Sequence, residues 1–249
     1  MGKLAGIIKL EGTLDGLTFY KSADGYMVRT KGGVSKNKIM TDPAFARTRE
    51  NLSEFGLNAK SGKALRNAIG PLLNRAKDPK LSSRMLKLMS DIKNYDTSSV
   101  RGQRSVFLGI DTPEGKQLMK GFDFNVRAAL QSILRVPYTL ETTTGTIGIV
   151  NFVSQEQLNY PESATHVSLR SAFVNLDFET GIFDSSYSPI SNLPINNIGT
   201  DVSLTPAQVP AGTGTQLYLL LIEFFQEVNG LQYSLRTGAF NVLNLIEVI

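Results

Sequence analysis

The chain of 249 residues has no cysteine and a single histidine, His166. Without cysteine there is no disulfide, no thiolate metal site and no cysteine nucleophile. A single histidine also removes most acid–base and metal chemistry that depends on imidazole. We find no catalytic constellation, so the sequence predicts a protein that is not an enzyme and needs no cofactor or metal.

Long apolar runs are also missing. A membrane-spanning helix needs roughly 18 apolar residues, whereas the longest apolar cluster, residues 217–222, has the length of a strand. A cleaved leader is not expected, because Lys9 and Glu11 interrupt the short apolar stretch that follows Lys3. We expect synthesis in the cytoplasm and no membrane span. Export without a cleaved leader, into an extracellular or virion-like assembly, stays open.

Positive charge is nearly absent from the second half. Lysine does not occur after Lys120, and after residue 140 the only Lys or Arg residues are Arg170 and Arg236. Residues 1–140 contain 24 Lys and Arg against 12 Asp and Glu, whereas residues 141–249 contain 2 against 10. The net charge of +4 therefore combines a basic front of +12 with an acidic back of −8. Opposite potentials orient encounters, so copies of the chain can attract one another head to tail.

Residues 1–40 are predicted as a β-hairpin followed by an extended basic arm. Residues 17–22 and 26–30 are rich in β-branched and aromatic side chains, and they flank a short turn that ends at Gly25. Another short strand is expected at residues 6–10. Residues 31–40 are Gly-rich and basic with no apolar period, which favours the arm.

Residues 41–135 are predicted as a basic helical region with short strands. A first helix is capped by Thr41 or Asp42 and stops at Gly56. Apolar periodicity predicts two further helices near residues 61–69 and 79–94. Short strands are expected at residues 105–110 and 121–125.

Residues 136–249 are predicted as an acidic antiparallel β-sandwich. Turn residues separate eight short apolar or alternating segments, and the pair Asn229-Gly230 is a strong hairpin signal. The expected fold class is therefore α+β: an N-terminal β-hairpin, an arm and basic helices, then the sandwich. The eight segments are residues 138–142, 146–152, 165–178, 181–186, 201–204, 217–226, 231–236 and 241–248.

Charge polarity favours a structural subunit that self-assembles into a filament, fibre or tube. Heterologous contacts that do not close generate open helical assemblies, and an edge strand adds a second means of attachment. Tail-tube-like and surface-fibre roles both fit. The candidate assembly contacts are Arg47, Arg49, Lys63, Arg66, Arg84 and Lys87 on the basic side, and Asp177, Glu179, Asp184 and Glu223 on the acidic side.

Two other functions stay open. The dense basic field of the helical region suits nucleic acid, because neutralising phosphates releases counterions. Against it, neither a helix-turn-helix nor an aromatic RNA-stacking motif is visible. Loops of the β-region offer a third function, the binding of a carbohydrate or another protein.

Several motifs resemble those of an uncharacterised protein family common in Bacteroidota genomes. The shared outline is GTLxGLTFYK…DGYxVRxKGGV, FxRTRENxxEFG, RGxR with GFxFN, and IEFFQEVNG…GAFN. The resemblance covers most of the chain, but it implies no reaction and brings no catalytic or binding residues. The matching segments are residues 12–21, 24–34, 45–56, 101–104, 121–125, 222–230 and 238–241.

Overall fold

A computed structural model of the chain describes residues 2–4, 6, 8–22, 24–30, 32–235 and 238–249. The chain divides into two compact units, residues 1–49 and residues 50–249. Helices and antiparallel sheets are both present, so the predicted α+β class is confirmed. The domain boundaries expected near residues 40 and 135 stay predictions.

The first unit contains a four-stranded antiparallel sheet with the order β1-β4-β3-β2. The predicted hairpin is confirmed, since β3 and β4 pair from Leu17 with Thr30 to Ser22 with Gly25. Its turn residue Ala23 lies outside the described residues. The strand predicted at residues 6–10 is wrong for the part described there, which is irregular. The strands are β1 (Gly2–Lys3), β2 (Gly12–Leu14), β3 (Leu17–Ser22) and β4 (Gly25–Thr30).

The segment predicted as an extended arm contains a short helix, α1 (Lys36–Thr41). Ser35 caps this helix, because its hydroxyl accepts a hydrogen bond from the Lys38 backbone N–H. Asp42 then caps the 3-10 turn Pro43–Phe45 in the same way. The prediction missed the helix because it has no buried residue and therefore no apolar period.

Helix α2 (Ala46–Ala68) continues through Gly56, where a helix end was predicted. A glycine inside a helix costs only about 1 kcal/mol, and the surrounding Arg, Leu, Ala and Lys residues favour helix. Five more helices follow in the second unit before its main β-region. They are α3 (Gly70–Leu73), α4 (Leu81–Ile92), α5 (Val106–Ile110), α6 (Pro113–Met119) and α7 (Leu130–Ile133).

Residues 105–110 form α5 and not the predicted strand. The Ser105 hydroxyl accepts a hydrogen bond from the Leu108 N–H and so caps the helix. Val106 and Ile110 are both buried, as residues four apart on one helical face. Gly109 lies close to α4, since a Cβ there would come within 2.2 Å of the Ile92 carbonyl oxygen.

The β-region forms two sheets, and each of the eight predicted segments contains or overlaps a strand. The central sheet has the order β10-β8-β12-β14-β5, with β9 beside β8 and β13 beside β12; the small sheet has the order β11-β7-β6. Asn229 and Gly230 adopt positive φ in the β12–β13 turn, as predicted. The short helix α8 (Ser154–Gln157) follows β7. The strands are β5 (Phe122–Asp123), β6 (Thr139–Glu141), β7 (Thr146–Phe152), β8 (His166–Leu176), β9 (Phe183–Tyr187), β10 (Ser191–Pro194), β11 (Thr200–Leu204), β12 (Thr215–Val228), β13 (Leu231–Ser234) and β14 (Val242–Val248).

The central sheet lies between the helices and the small sheet. Along β12, Leu217, Leu219 and Leu221 pack against the helices, whereas the alternate side chains Tyr218 and Leu220 pack against the small sheet. A strand buried on both faces reads as a continuous apolar run. The two-sheet sandwich is not confirmed, because helices cover one face of the central sheet. Within the described ranges, no helix is both long and apolar enough to cross a bilayer.

Candidate assembly surfaces

The N-terminal sheet has one apolar face. Residues directly opposite on paired strands share a face, and the pairs Leu14–Leu17 and Phe19–Val28 lie on the same side as Tyr26. We call these five side chains the apolar face of the N-terminal sheet, which also carries Lys21 and Thr30 at its margins. Leu14 is 67% exposed. None of the described residues between 2 and 49 is buried, so this unit contains no core of its own.

Three candidate cations lie exposed on helices. Arg47 and Lys63 belong to α2, and Lys87 belongs to α4. Among the described residues, Lys63 and Lys87 make no side-chain hydrogen bond or ion pair. Their charges are therefore available to a partner.

The other candidate cations are used inside the chain. Arg49 donates hydrogen bonds to the carbonyl oxygens of Ile39 and Asp42, at 2.7 and 2.9 Å. Arg66 points toward the sulfur of Met85, at 3.7 Å.

Among the predicted basic contacts, Arg84 makes the most hydrogen bonds and ion pairs within the chain. It pairs with the buried carboxylate of Asp78 and donates to the carbonyl oxygens of Asp123 and Phe124. Burial raises the pKa of Asp78, but hydrogen bonds from the Val126 N–H and from Arg84 more than offset this and hold the pKa below its usual value. Arg84 therefore fixes α4 to the segment around β5.

Three acidic candidates surround the β8–β9 turn. Asp177 accepts hydrogen bonds from the Thr180 hydroxyl at 2.6 Å and from the Glu179 N–H at 2.7 Å, and the Thr180 bond is the main reason that its pKa is lowered. Asp184 accepts from the Ala211 N–H at 2.8 Å. Glu179 is exposed. Asp177 therefore holds the turn, whereas Asp184 holds the segment around Ala211.

Glu223 is buried in the middle of β12 and is not a surface contact. Its nearest cation is Arg75, at 3.5 Å, and its Oε1 atom has no hydrogen-bond partner among the described residues. Burial raises the pKa of the Glu223 carboxyl, and Arg75 only partly opposes this.

The basic and acidic halves meet within one unit. The Ser185 and Tyr187 hydroxyls both donate to the Ala68 carbonyl oxygen at the end of α2. Lys120 pairs with Glu247 at 2.6 Å. The helices and the central sheet share one apolar core. Part of the charge complementarity is thus satisfied inside each copy.

Glu54 is a central residue that the sequence reasoning missed. Its buried carboxylate pairs with Lys93, accepts two hydrogen bonds from Arg104 at 2.8 and 2.9 Å, and accepts a third from the Gly102 N–H at 2.9 Å. The Arg104 bonds are the largest cause that lowers the pKa of Glu54 to about 2. Two motifs, FxRTRENxxEFG and RGxR, therefore meet in one ion-pair network.

The motifs GFxFN and GAFN meet in the same way. The side-chain amide of Asn125 donates to the carbonyl oxygens of Gly238 and Asn241, both at 2.9 Å. Asn241 in turn donates to the Arg75 carbonyl oxygen at 3.1 Å. These contacts join β5, the chain before β14 and the end of α3. The motifs therefore have a structural role in this chain.

The small sheet presents a polar outer face. Its apolar side chains, such as Ile147, Ile149 and Val202, point toward the central sheet. The opposite side is rich in Thr and Ser, and it also carries the carboxylate of Glu141. Val150 is its one large apolar side chain, and it is 75% exposed. We call Thr139, Glu141, Thr146, Gly148, Val150 and Ser203 the outer face of the small sheet.

The open cavities of the second unit include one of about 430 Å³ and one of about 760 Å³. The larger is lined by Lys120, Arg135 and Tyr138 together with apolar side chains. His166 lies elsewhere, with its Nδ1 atom 3.0 Å from the Thr165 hydroxyl and its Nε2 atom 3.6 Å from Glu227. Within the part of the chain that the structure describes, no group of three or more His, Asp or Glu residues could hold a metal ion.

Comparison with protein-family models, with curated proteins and with solved structures finds no match for this chain.

Proposed function

We propose that the chain is a structural subunit that assembles with copies of itself into a filament, fibre or tube. The observation that carries this proposal is the N-terminal sheet, whose apolar face exposes Leu14 and Leu17 and whose described residues include none that is buried. A small sheet needs an apolar face packed against another element to be stable. A neighbouring copy supplies that element.

The second unit supports the proposal because it contains a complete core of its own. Its central sheet is covered on both faces by the helices and the small sheet. The second unit can therefore serve as the body of a subunit, while the N-terminal sheet serves as the attachment. An attachment that binds a different surface of the next copy gives a heterologous contact, which propagates.

The test compares the full chain with a variant of the apolar face. Leu14→Ser with Leu17→Ser removes two exposed apolar side chains from that face, and Val100→Ser with Leu118→Ser removes two exposed ones from the loop before α5 and from α6. Sedimentation and negative-stain microscopy are expected to give polymers for the wild-type chain and the second variant, and monomers for the first. A wild-type chain that stays monomeric at low and moderate salt overturns the proposal.

Nucleic-acid binding is the second function that we propose, favoured by the exposed and unpaired Lys63 and Lys87. Its weakness is that Arg84, Lys93 and Arg104 are engaged in ion pairs within the chain. Fluorescence anisotropy with labelled duplex and single-stranded DNA tests it. Binding that falls steeply with salt and is weakened by Lys63→Glu and Lys87→Glu supports it, and no binding at low salt excludes it.

A further inference from the structure

We infer that the outer face of the small sheet receives the N-terminal sheet of the next copy. This inference rests on the proposed self-assembly and names the surface that completes it. The small sheet and the N-terminal sheet would then pack face to face, about 10 Å apart, as stacked sheets do. Each copy would give its N-terminal sheet to one neighbour and its small sheet to the other.

Charge is the first reason for choosing this surface. The N-terminal unit, residues 1–49, contains nine Lys and Arg against four Asp and Glu, a net charge of +5. The three strands of the small sheet contain Glu141 and Asp201 and no Lys or Arg, and the chain has no cation between Arg135 and His166. The two surfaces therefore attract each other, and like charges do not have to be brought together.

Two other exposed apolar surfaces fail this criterion. A second N-terminal unit has the same net charge of +5. Residues 50–120, which form most of the helices, contain 13 Lys and Arg against 7 Asp and Glu, a net charge of +6. Phe55 is 56% exposed on α2 and offers an apolar contact, but it lies in this basic region. Juxtaposed like charges oppose association.

The shape of the small sheet is the second reason. Val150 stands on the central strand β7, two residues beyond the last pair with β6 (Gly148 with Thr139) and at the register shift of the β7–β11 pairing. Gly148, two residues before it, adds no side chain; a Cβ there would lie 2.8 Å from the Thr139 hydroxyl. A glycine in a strand is typical of a place where another backbone approaches closely. The face is thus low in relief and suits a second sheet.

The edges of the small sheet give a further means of attachment. Strands β6 and β11 each pair only with β7 in the described part of the chain, so each has one free edge. Unpaired edges are templates for strand addition. Face packing and edge pairing by the same neighbour are compatible with an open, repeating contact.

The first experiment places a charge in the middle of the outer face. Val150→Lys puts a cation where the proposal has the basic N-terminal sheet, and Val100→Lys is the matched control, a valine 66% exposed in the loop before α5. Sedimentation of Val150→Lys is expected to require about tenfold more protein for polymer formation, with an unchanged circular dichroism spectrum. The control is expected to polymerise as the wild type does. Equal polymerisation of both variants overturns the inference.

The second experiment uses the absence of cysteine, since each introduced thiol is then the only one. Leu14→Cys and Val150→Cys chains are mixed and treated with a short bismaleimide; Phe55→Cys replaces Val150→Cys in a parallel mixture. A crosslinked dimer of the first pair is expected. If Leu14→Cys instead crosslinks with itself or with Phe55→Cys, and not with Val150→Cys, this inference is overturned. The proposal of self-assembly would still stand in that case. A wild-type chain that never polymerises overturns both proposals.

Discussion

At the residue scale, Glu54 shows how a charge can be buried without penalty to the fold. Arg104, Lys93 and the Gly102 N–H supply enough donors to satisfy both carboxylate oxygens. Removing one partner of a buried ion pair commonly costs 3–5 kcal/mol, because the other charge stays buried. In Glu54→Gln, Arg104 and Lys93 lose their counter-charge.

We expect Glu54→Gln to lower the free energy of unfolding by about 3 kcal/mol, measured by urea unfolding at pH 7. Glu50→Gln is the control, because Glu50 and its partner Arg101 are both partly exposed, and surface pairs contribute only about 0–1 kcal/mol. Equal losses of unfolding free energy in the two variants would show that the buried Glu54 network stabilises the fold no more than the exposed Glu50–Arg101 pair does.

The same network predicts a pH dependence. The pKa of Glu54 lies at about 2 in the folded chain, below its ordinary value of 4.5. A lowered pKa gives stability that is fully present above the unfolded value and is lost as protons bind the folded carboxylate. The difference in stability between wild type and Glu54→Gln should therefore shrink as the pH falls from about 5 to about 2. A constant difference over that range would contradict the assignment.

Glu223 is expected to give a pH dependence of stability opposite to that of Glu54. Burial raises its pKa, and its Oε1 atom lacks a hydrogen bond. Such a group stabilises the fold below its unfolded pKa and loses that contribution as the pH rises through its folded value. Because Arg75 is more than half exposed and stays solvated, we expect Glu223→Met to raise stability by about 1 kcal/mol at pH 7. Thermal unfolding should show the gain shrinking toward pH 4, and a clear loss at pH 7 would contradict it.

The candidate residues show what the sequence could and could not predict at this scale. Lys63 and Lys87 are exposed, as charged residues on helices usually are. Glu223 was predicted as a contact but is buried, since a single charge in an apolar strand does not reveal its partner Arg75. The Glu54–Arg104 pair spans 50 residues of sequence, and no local pattern connects the two.

At the element scale, substitutions of two glycines test how tightly the helices and their connections are packed. Gly102 adopts φ +92°, and a Cβ there would lie 3.0–3.2 Å from atoms of Glu50. Gly56 lies inside α2 with nothing within 4 Å of an added Cβ. We expect Gly102→Ala to cost about 1–3 kcal/mol and Gly56→Ala to gain about 0.5–1 kcal/mol. Urea unfolding of the two variants checks the direction of both stability changes. A loss of stability in Gly56→Ala would show that α2 is bent or packed there.

Elements were predicted best where side chains alternate regularly. The segment at residues 146–152 matches β7 (Thr146–Phe152) because its buried residues alternate with polar or exposed ones. The strand predicted at residues 105–110 was wrong, because a short run of Val, Phe and Ile is compatible with a strand or with a buried helix. Ser105 was the available signal, since it caps α5.

At the scale of the whole molecule, the charge difference between the halves has two roles. Lys120 with Glu247 satisfies part of it inside each copy, as does Arg75 with Glu223. The N-terminal unit and the small sheet carry net charges of opposite sign. In the proposed assembly, charge orients the encounter of two copies, whereas apolar contact at Leu14, Phe19 and Val150 holds them together.

This division of roles predicts how salt acts on the polymer. Surface charges interact over about 10 Å at 0.1 M ionic strength and over about 3 Å at 1 M. Higher salt should therefore slow the addition of subunits to preformed seeds several-fold, followed by light scattering. Finished polymer should still pellet in high salt, because apolar burial is not weakened by screening. Rapid dissolution of finished polymer by salt would show that charge, and not the apolar face of the N-terminal sheet, holds the copies together.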